Sequence, residues 1–123
     1  MANEITYQLQ SLLNNGGLSD NYSSGSVAVD QASAKMVRNV QTIGTAAAGE
    51  ALSMGDVTTA GVAVLKNLDD TNYVEVGRSI GGNFEAFLKL KPGESALCRL
   101  ATSAPYAKAN TADVELDYRI YED

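Results

Sequence analysis

Val114-Glu115-Leu116-Asp117-Tyr118-Arg119-Ile120-Tyr121 is the run that decides the fold. Val114, Leu116, Tyr118 and Ile120 alternate with Glu115, Asp117, Arg119 and Tyr121, the period of a strand with one face in a core. Upstream the same signature recurs, each time ended by turn residues. Residues 84–91 run into Pro92-Gly93-Glu94. Tyr73-Val74-Glu75-Val76 runs into Gly77 and then Gly81-Gly82. Val62-Ala63-Val64-Leu65 runs into Asn67-Leu68-Asp69-Asp70. Strand runs broken by turns roughly every 8–12 residues define an all-β chain. The expectation is an antiparallel β-sandwich or jelly roll of about eight strands. Helix–strand alternation is missing, which argues against a parallel α/β fold.

Individual segments carry finer expectations. Lys91-Pro92-Gly93-Glu94 fits a type II turn, with Pro second and Gly third. It is expected to join residues 84–90 and 95–100 as an antiparallel pair. Val62, Val64 and Leu68 share one parity. Residues 35–43 read as a strand with Val37 and Ile43 on one face and Met36 and Val40 on the other. A helix competes only at residues 46–52, where Gly49 interrupts an alanine run. That stretch reads as irregular, or as strand plus turn, with room for one helical turn.

At the N-terminus, Ile5, Tyr7 and Leu9 would share one strand face. Asn14-Asn15-Gly16-Gly17 then breaks the pattern, and residues 14–26 are polar and turn-rich. The expected organisation is an N-terminal strand and flexible arm over residues 1–26, followed by a β-sandwich domain over 27–123. Met1 to Thr6 has no basic start and no apolar run, so no signal peptide is expected.

Composition excludes several functions. Fifteen acidic side chains outnumber nine Lys and Arg, for a net charge of −6. The cations are scattered singly, so no nucleic-acid partner is expected, since such binding requires clustered phosphate-neutralising groups. No stretch approaches the length of a membrane span, so no membrane partner is expected either. The chain has no histidine and a single cysteine, Cys98. That removes the commonest general base, the usual zinc ligands and any intrachain disulfide. Cys98 lies in the apolar run 96–100 and reads as a small buried hydrophobe.

Three further runs carry groups of the kind that build sites. Asp69-Asp70-Thr71-Asn72 offers oxygen ligands of the kind calcium takes, but lacks EF-hand spacing; a solvated turn between strands is the plainer reading. Ser79-Ile80-Gly81-Gly82-Asn83 reads as a hairpin connection rather than a ligand loop. Glu115 with Asp117, and Glu122 with Asp123, read as solvated carboxylates rather than a glycosidase pair. No catalytic residue, metal ligand or cofactor is expected, and the chain reads as no enzyme. What remains is surface. Tyrosine suits half-buried interfaces, and the candidate interface residues are Ile5, Tyr7, Leu9, Tyr22, Tyr106 and Tyr121.

The residues Gly55-Asp56-Val57-Thr58-Thr59-Ala60-Gly61, the run from Lys66 through Asn67-Leu68-Asp69-Asp70-Thr71-Asn72-Tyr73 to Gly77, the run Leu88-Lys89-Leu90-Lys91-Pro92-Gly93-Glu94, and Ala107-Lys108-Ala109-Asn110 together resemble a family of small structural proteins of tailed bacteriophages. The resemblance covers roughly residues 41–123. It implies a virion-associated β-sandwich or jelly roll without enzymatic activity, made in the host bacterial cytoplasm. The favoured role is a capsid decoration or cement protein that binds and braces the outer shell. Its partners would be the major capsid protein or other virion proteins, with self-association as a homotrimer. The alternatives are a tail or head-fibre-base module, and a carbohydrate-binding sandwich for host adsorption.

Overall fold

The computed structural model describes residues 3–123. Two compact units emerge, Met1–Ala32 and Ser33–Asp123. The first is a hairpin of β1 (Ile5–Asn15) and β2 (Leu18–Val29). The second holds β3 (Met36–Ile43), β4 (Glu50–Ala51), β5 (Ala60–Asn67), β6 (Val74–Ile80), β7 (Asn83–Leu90), β8 (Ser95–Arg99), β9 (Tyr106–Ala109) and β10 (Val114–Glu122).

These eight strands form two four-stranded sheets, ordered β3-β10-β5-β8 and β4-β9-β6-β7. The pairing is nested. The first strand pairs with the last, the second with the second from last, and so inward to the β6–β7 hairpin, all antiparallel. Successive pairs fall in alternate sheets. A long antiparallel ribbon wound in this way is a jelly roll.

One core joins the sheets. Ile43, Leu65, Leu116, Tyr118 and Ile120 from one sheet pack with Val74, Val76, Leu90, Ala107 and Ala109 from the other. The β10 alternation is as expected: Val114, Leu116, Tyr118 and Ile120 are all buried. In β3, Ile43 is buried and Val37 packs on the core, while Met36 and Val40 face out. In β5 the inward parity is Ala63, Leu65 and Asn67, not that of Val62, Val64 and Leu68. A continuous apolar run on a central strand has no polar alternation to reveal its inner face.

Two turns match their residues. Gly81 and Gly82 both have positive φ, +58° and +82°, and make the two-residue connection of the β6–β7 hairpin. Gly93 at φ +79° takes the third position of the type II turn, which the Glu94 N–H closes on the Lys91 carbonyl at 3.0 Å. This turn joins β7 to β8, but the two strands do not pair: β7 lies beside β6 and β8 beside β5. The expected antiparallel pair is therefore wrong. The turn is held instead by Asn67 at the end of β5, whose N–H donates to the Glu94 carbonyl and whose carbonyl accepts from the Gly93 N–H. The chain crosses between sheets there.

The N-terminal expectation also needs correction. Residues 14–26 are not a loop or extended arm; they hold the hairpin turn and most of β2. The 26/27 boundary cuts β2, which runs to Val29. Of the expected arm, Met1 and Ala2 lie outside the described residues. Ser, Asn and Gly are poor strand formers by propensity, but ten cross-strand positions with β1 override that preference.

Candidate interaction surface

The hairpin is built outward from its turn. Asn15 pairs with Leu18, leaving Gly16 and Gly17 as a two-residue connection. Gly16 sits at φ +58°, where a side chain would be strained. Leu13 then faces Asp20, and Ser11 faces Tyr22. Between Gln8 and Gln10 the register slips: Gln8 faces Ser26 and Gln10 faces Ser23. Leu9 is thus opposed by two residues, Ser24 and Gly25. Gly25 adopts φ +68°, and the Ser24 hydroxyl accepts the Leu9 N–H at 2.9 Å. This is a glycine β-bulge. Beyond it, Tyr7 faces Val27 and Ile5 faces Val29.

Directly paired residues share a face. One face therefore carries Ile5, Tyr7, Leu9 and Leu13 of β1 with Val29, Val27, Tyr22 and Leu18 of β2, interrupted toward the turn by Ser11, Asn15 and Asp20. The other carries Thr6, Gln8, Gln10 and Asn14 with Ser26, Ser23, Asn21 and Ser19; Leu12 and Ala28 are its only apolar members. The hairpin is amphipathic from base to tip. Ile5, Tyr7, Val27 and Val29 at its base are half-buried, but toward the tip the apolar face is not covered: Leu9 is 38%, Leu13 44%, Tyr22 55% and Leu18 60% exposed. Together that is about two full side chains, which a cover would bury for roughly 3–6 kcal/mol. A lone two-stranded hairpin is marginal in water.

Four of the six expected interface residues, Ile5, Tyr7, Leu9 and Tyr22, fall on this face. Tyr106 and Tyr121 do not. Tyr106 lies on β9 and Tyr121 on β10, in different sheets of the other unit, each half-buried. Leu13, Leu18, Val27 and Val29 belong to the face and were missed. Pairing residues outward from Gly16-Gly17 would have found Leu18 opposite the end of β1.

The other candidates are structural. The Asp69 carboxylate accepts the backbone N–H groups of Asn72 and Thr71. Those bonds, Asn72 first, hold its pKa below the ordinary value. It is thus an Asx turn between β5 and β6, and among the described residues no three carboxylate or thiol groups gather as a metal site. Glu122 accepts from the N–H groups of Thr58 at 2.9 Å and Thr59 at 2.8 Å, tying the end of β10 to the chain before β5. Glu115 lies 2.5 Å from the Thr42 hydroxyl across the β3–β10 pair. The Tyr118 hydroxyl lies 2.8 Å from the Ser53 carbonyl and 3.0 Å from Gln41 Oε1, able to donate to one at a time. Burial pushes its pKa up. A shallow depression of about 240 Å³ on the outer face, between Lys66, Ser95, Asp117 and Arg119, mixes both charge signs. Among the described residues no helix is long and apolar enough to cross a membrane.

Comparison with protein-family models, with curated proteins and with solved structures returned no match.

Proposed function

We propose that this chain is a non-enzymatic structural protein of a bacteriophage particle, a decoration protein that binds the outer shell. The observation that carries the reading is the hairpin: an apolar face half-buried at its base and exposed from Leu9 to the tip, in a chain whose jelly roll pairs its buried polar groups internally. Among the described residues every buried side-chain nitrogen and oxygen has a hydrogen-bond partner. Such a chain keeps its unspent surface for assembly. The jelly roll is also an architecture of viral shells, though it serves lectins and cupins too, so the fold alone decides nothing. The turn residues 66–77 and 88–94, which resemble those of phage structural proteins, point the same way.

Quantitative mass spectrometry of purified particles tests this. A decoration protein is present in hundreds of copies, and particles lacking it lose shell stability on heating. A handful of copies per particle would move the chain to the tail or a fibre base.

A further inference from the structure

We infer that the hairpin's apolar face is covered by further copies of the same hairpin, three of them closing into one six-stranded antiparallel barrel. The inference rests on the assembly reading only in treating this face as an interface; it does not depend on a virion.

The first support is the edges. A strand edge left open is normally guarded by Lys, Pro, inward charge or short length. From Ile5 to Val29 there is no Lys, Arg or Pro, and the one charged residue, Asp20, lies opposite Leu13 near the turn, leaving the rest of both strands without a charge. The strands are long, 11 and 12 residues. Each hairpin therefore offers two edges that are unguarded from the bulge to the base, in addition to its apolar face. An occupant that covers the face alone leaves both edges open.

Edge closure, with area, gives the copy number. At about 3.3 Å per residue β1 is roughly 36 Å long, and two strands with their side-chain margins are roughly 10 Å wide. One face is then about 350 Å², so two stacked copies bury about 700 Å², short of the roughly 1,000–1,200 Å² of a stable specific interface. That pair would also keep every edge unpaired. Three copies bring about 1,000 Å² into a common interior, about 350 Å² from each as in a pair, so what three add is the pairing of the edges. In a ring of hairpins β2 of one copy meets β1 of the next antiparallel, so three new seams pair all six edges. Closure of this kind abolishes edges altogether.

Charge and shape agree. The interior would be lined mainly by Leu, Tyr, Val and Ile, with Ser11, Asn15 and Asp20 at the turn end where the barrel opens to water, and the exterior mainly by Ser, Gln, Asn and Thr, with Leu12 and Ala28 among them. No lysine or arginine precedes Lys35, which leaves the hairpin with little to attract an anionic partner. A narrow barrel needs strongly coiled strands, and glycine bulges supply that coiling. Gly25 provides one midway along each copy.

The test uses the full chain at micromolar concentration, by light scattering after size exclusion and by native mass spectrometry. The expected mass is three times the 12.9 kDa protomer. Replacing Leu13→Lys and Leu18→Lys together should return it to one protomer, with the near-ultraviolet dichroism of the jelly roll unchanged as proof that it still folds. A wild-type protein that runs as a monomer or dimer overturns the inference, as does a double variant that stays trimeric. A monomer that still decorates particles would sink the barrel and spare the virion reading. A trimer that no particle contains would do the reverse.

Discussion

Replacing Asn67→Ala should cost the jelly roll about 3–5 kcal/mol. Asn67 is fully buried at the end of β5. Its Nδ2 donates to the carbonyls of Asn72 at 2.9 Å and Leu90 at 3.1 Å, and its Oδ1 accepts the Asp69 N–H at 2.9 Å. Alanine leaves all three partners unmet. Leu90 is itself buried, so water cannot replace the bond to its carbonyl, and that loss carries a full desolvation penalty of about 1–3 kcal/mol. Asn72 and Asp69 are half-buried, and their losses are nearer 1 kcal/mol each. For a unit of this size the total lowers the melting temperature by roughly 12–40 °C. Urea unfolding followed by near-ultraviolet dichroism measures it, with an unchanged slope against urea expected. Asn67→Asp should be worse at neutral pH, because it keeps the acceptor but turns a charge toward two carbonyls. A cost below about 1 kcal/mol for Asn67→Ala would refute the view that one amide clamps the sheet crossover.

Three other outcomes are expected. In Gly77→Ala the new Cβ would lie 1.9 Å from the Glu85 carbonyl oxygen, so the β6–β7 backbones must separate; a loss of about 2 kcal/mol or more in thermal unfolding is expected. Glu122 has its pKa held below the ordinary 4.5, by the Thr58 N–H first and against the opposing effect of burial. The stability it confers is therefore complete above that value and lost as pH falls through the folded pKa; melting temperature should fall on acidification below about pH 4.5, less steeply in Glu122→Gln. Burial pushes the Cys98 thiol up, so it should react with a disulfide reagent at least about tenfold more slowly in the folded protein than in urea.

The jelly roll was readable in outline because β10 is a half-buried strand whose four inward residues sit two apart, and because Gly81-Gly82 and Pro92-Gly93 announce their turns. Which strands pair was not readable. Pro92-Gly93 states that the chain reverses, but not that it changes sheets while doing so. That outcome depends on a residue 25 positions earlier, where Asn67 holds the turn by its backbone. A buried asparagine in the run Val64-Leu65-Lys66-Asn67-Leu68 looks like the polar end of a strand until its partners are known.

The hairpin was hidden by a single residue. Counted by parity along the chain, Leu18 and Tyr22 are even while Val27 and Val29 are odd, so period-two reading places them on opposite faces and finds no strand. The bulge at Ser24-Gly25 inserts one residue and brings both pairs to the same face as Ile5, Tyr7, Leu9 and Leu13. A slip of one residue normally exchanges the two faces of a strand; here the slip keeps the apolar residues together. Gly25→Val tests this directly. Valine resists φ +68°, so the bulge should be lost or displaced and β2 re-registered. Tyr22 would then oppose the side that carries Val27. Such a variant should lose self-association as fully as the double lysine variant while adding no charge. If it assembles as the wild type does, the face does not depend on the bulge, and the argument from parity fails.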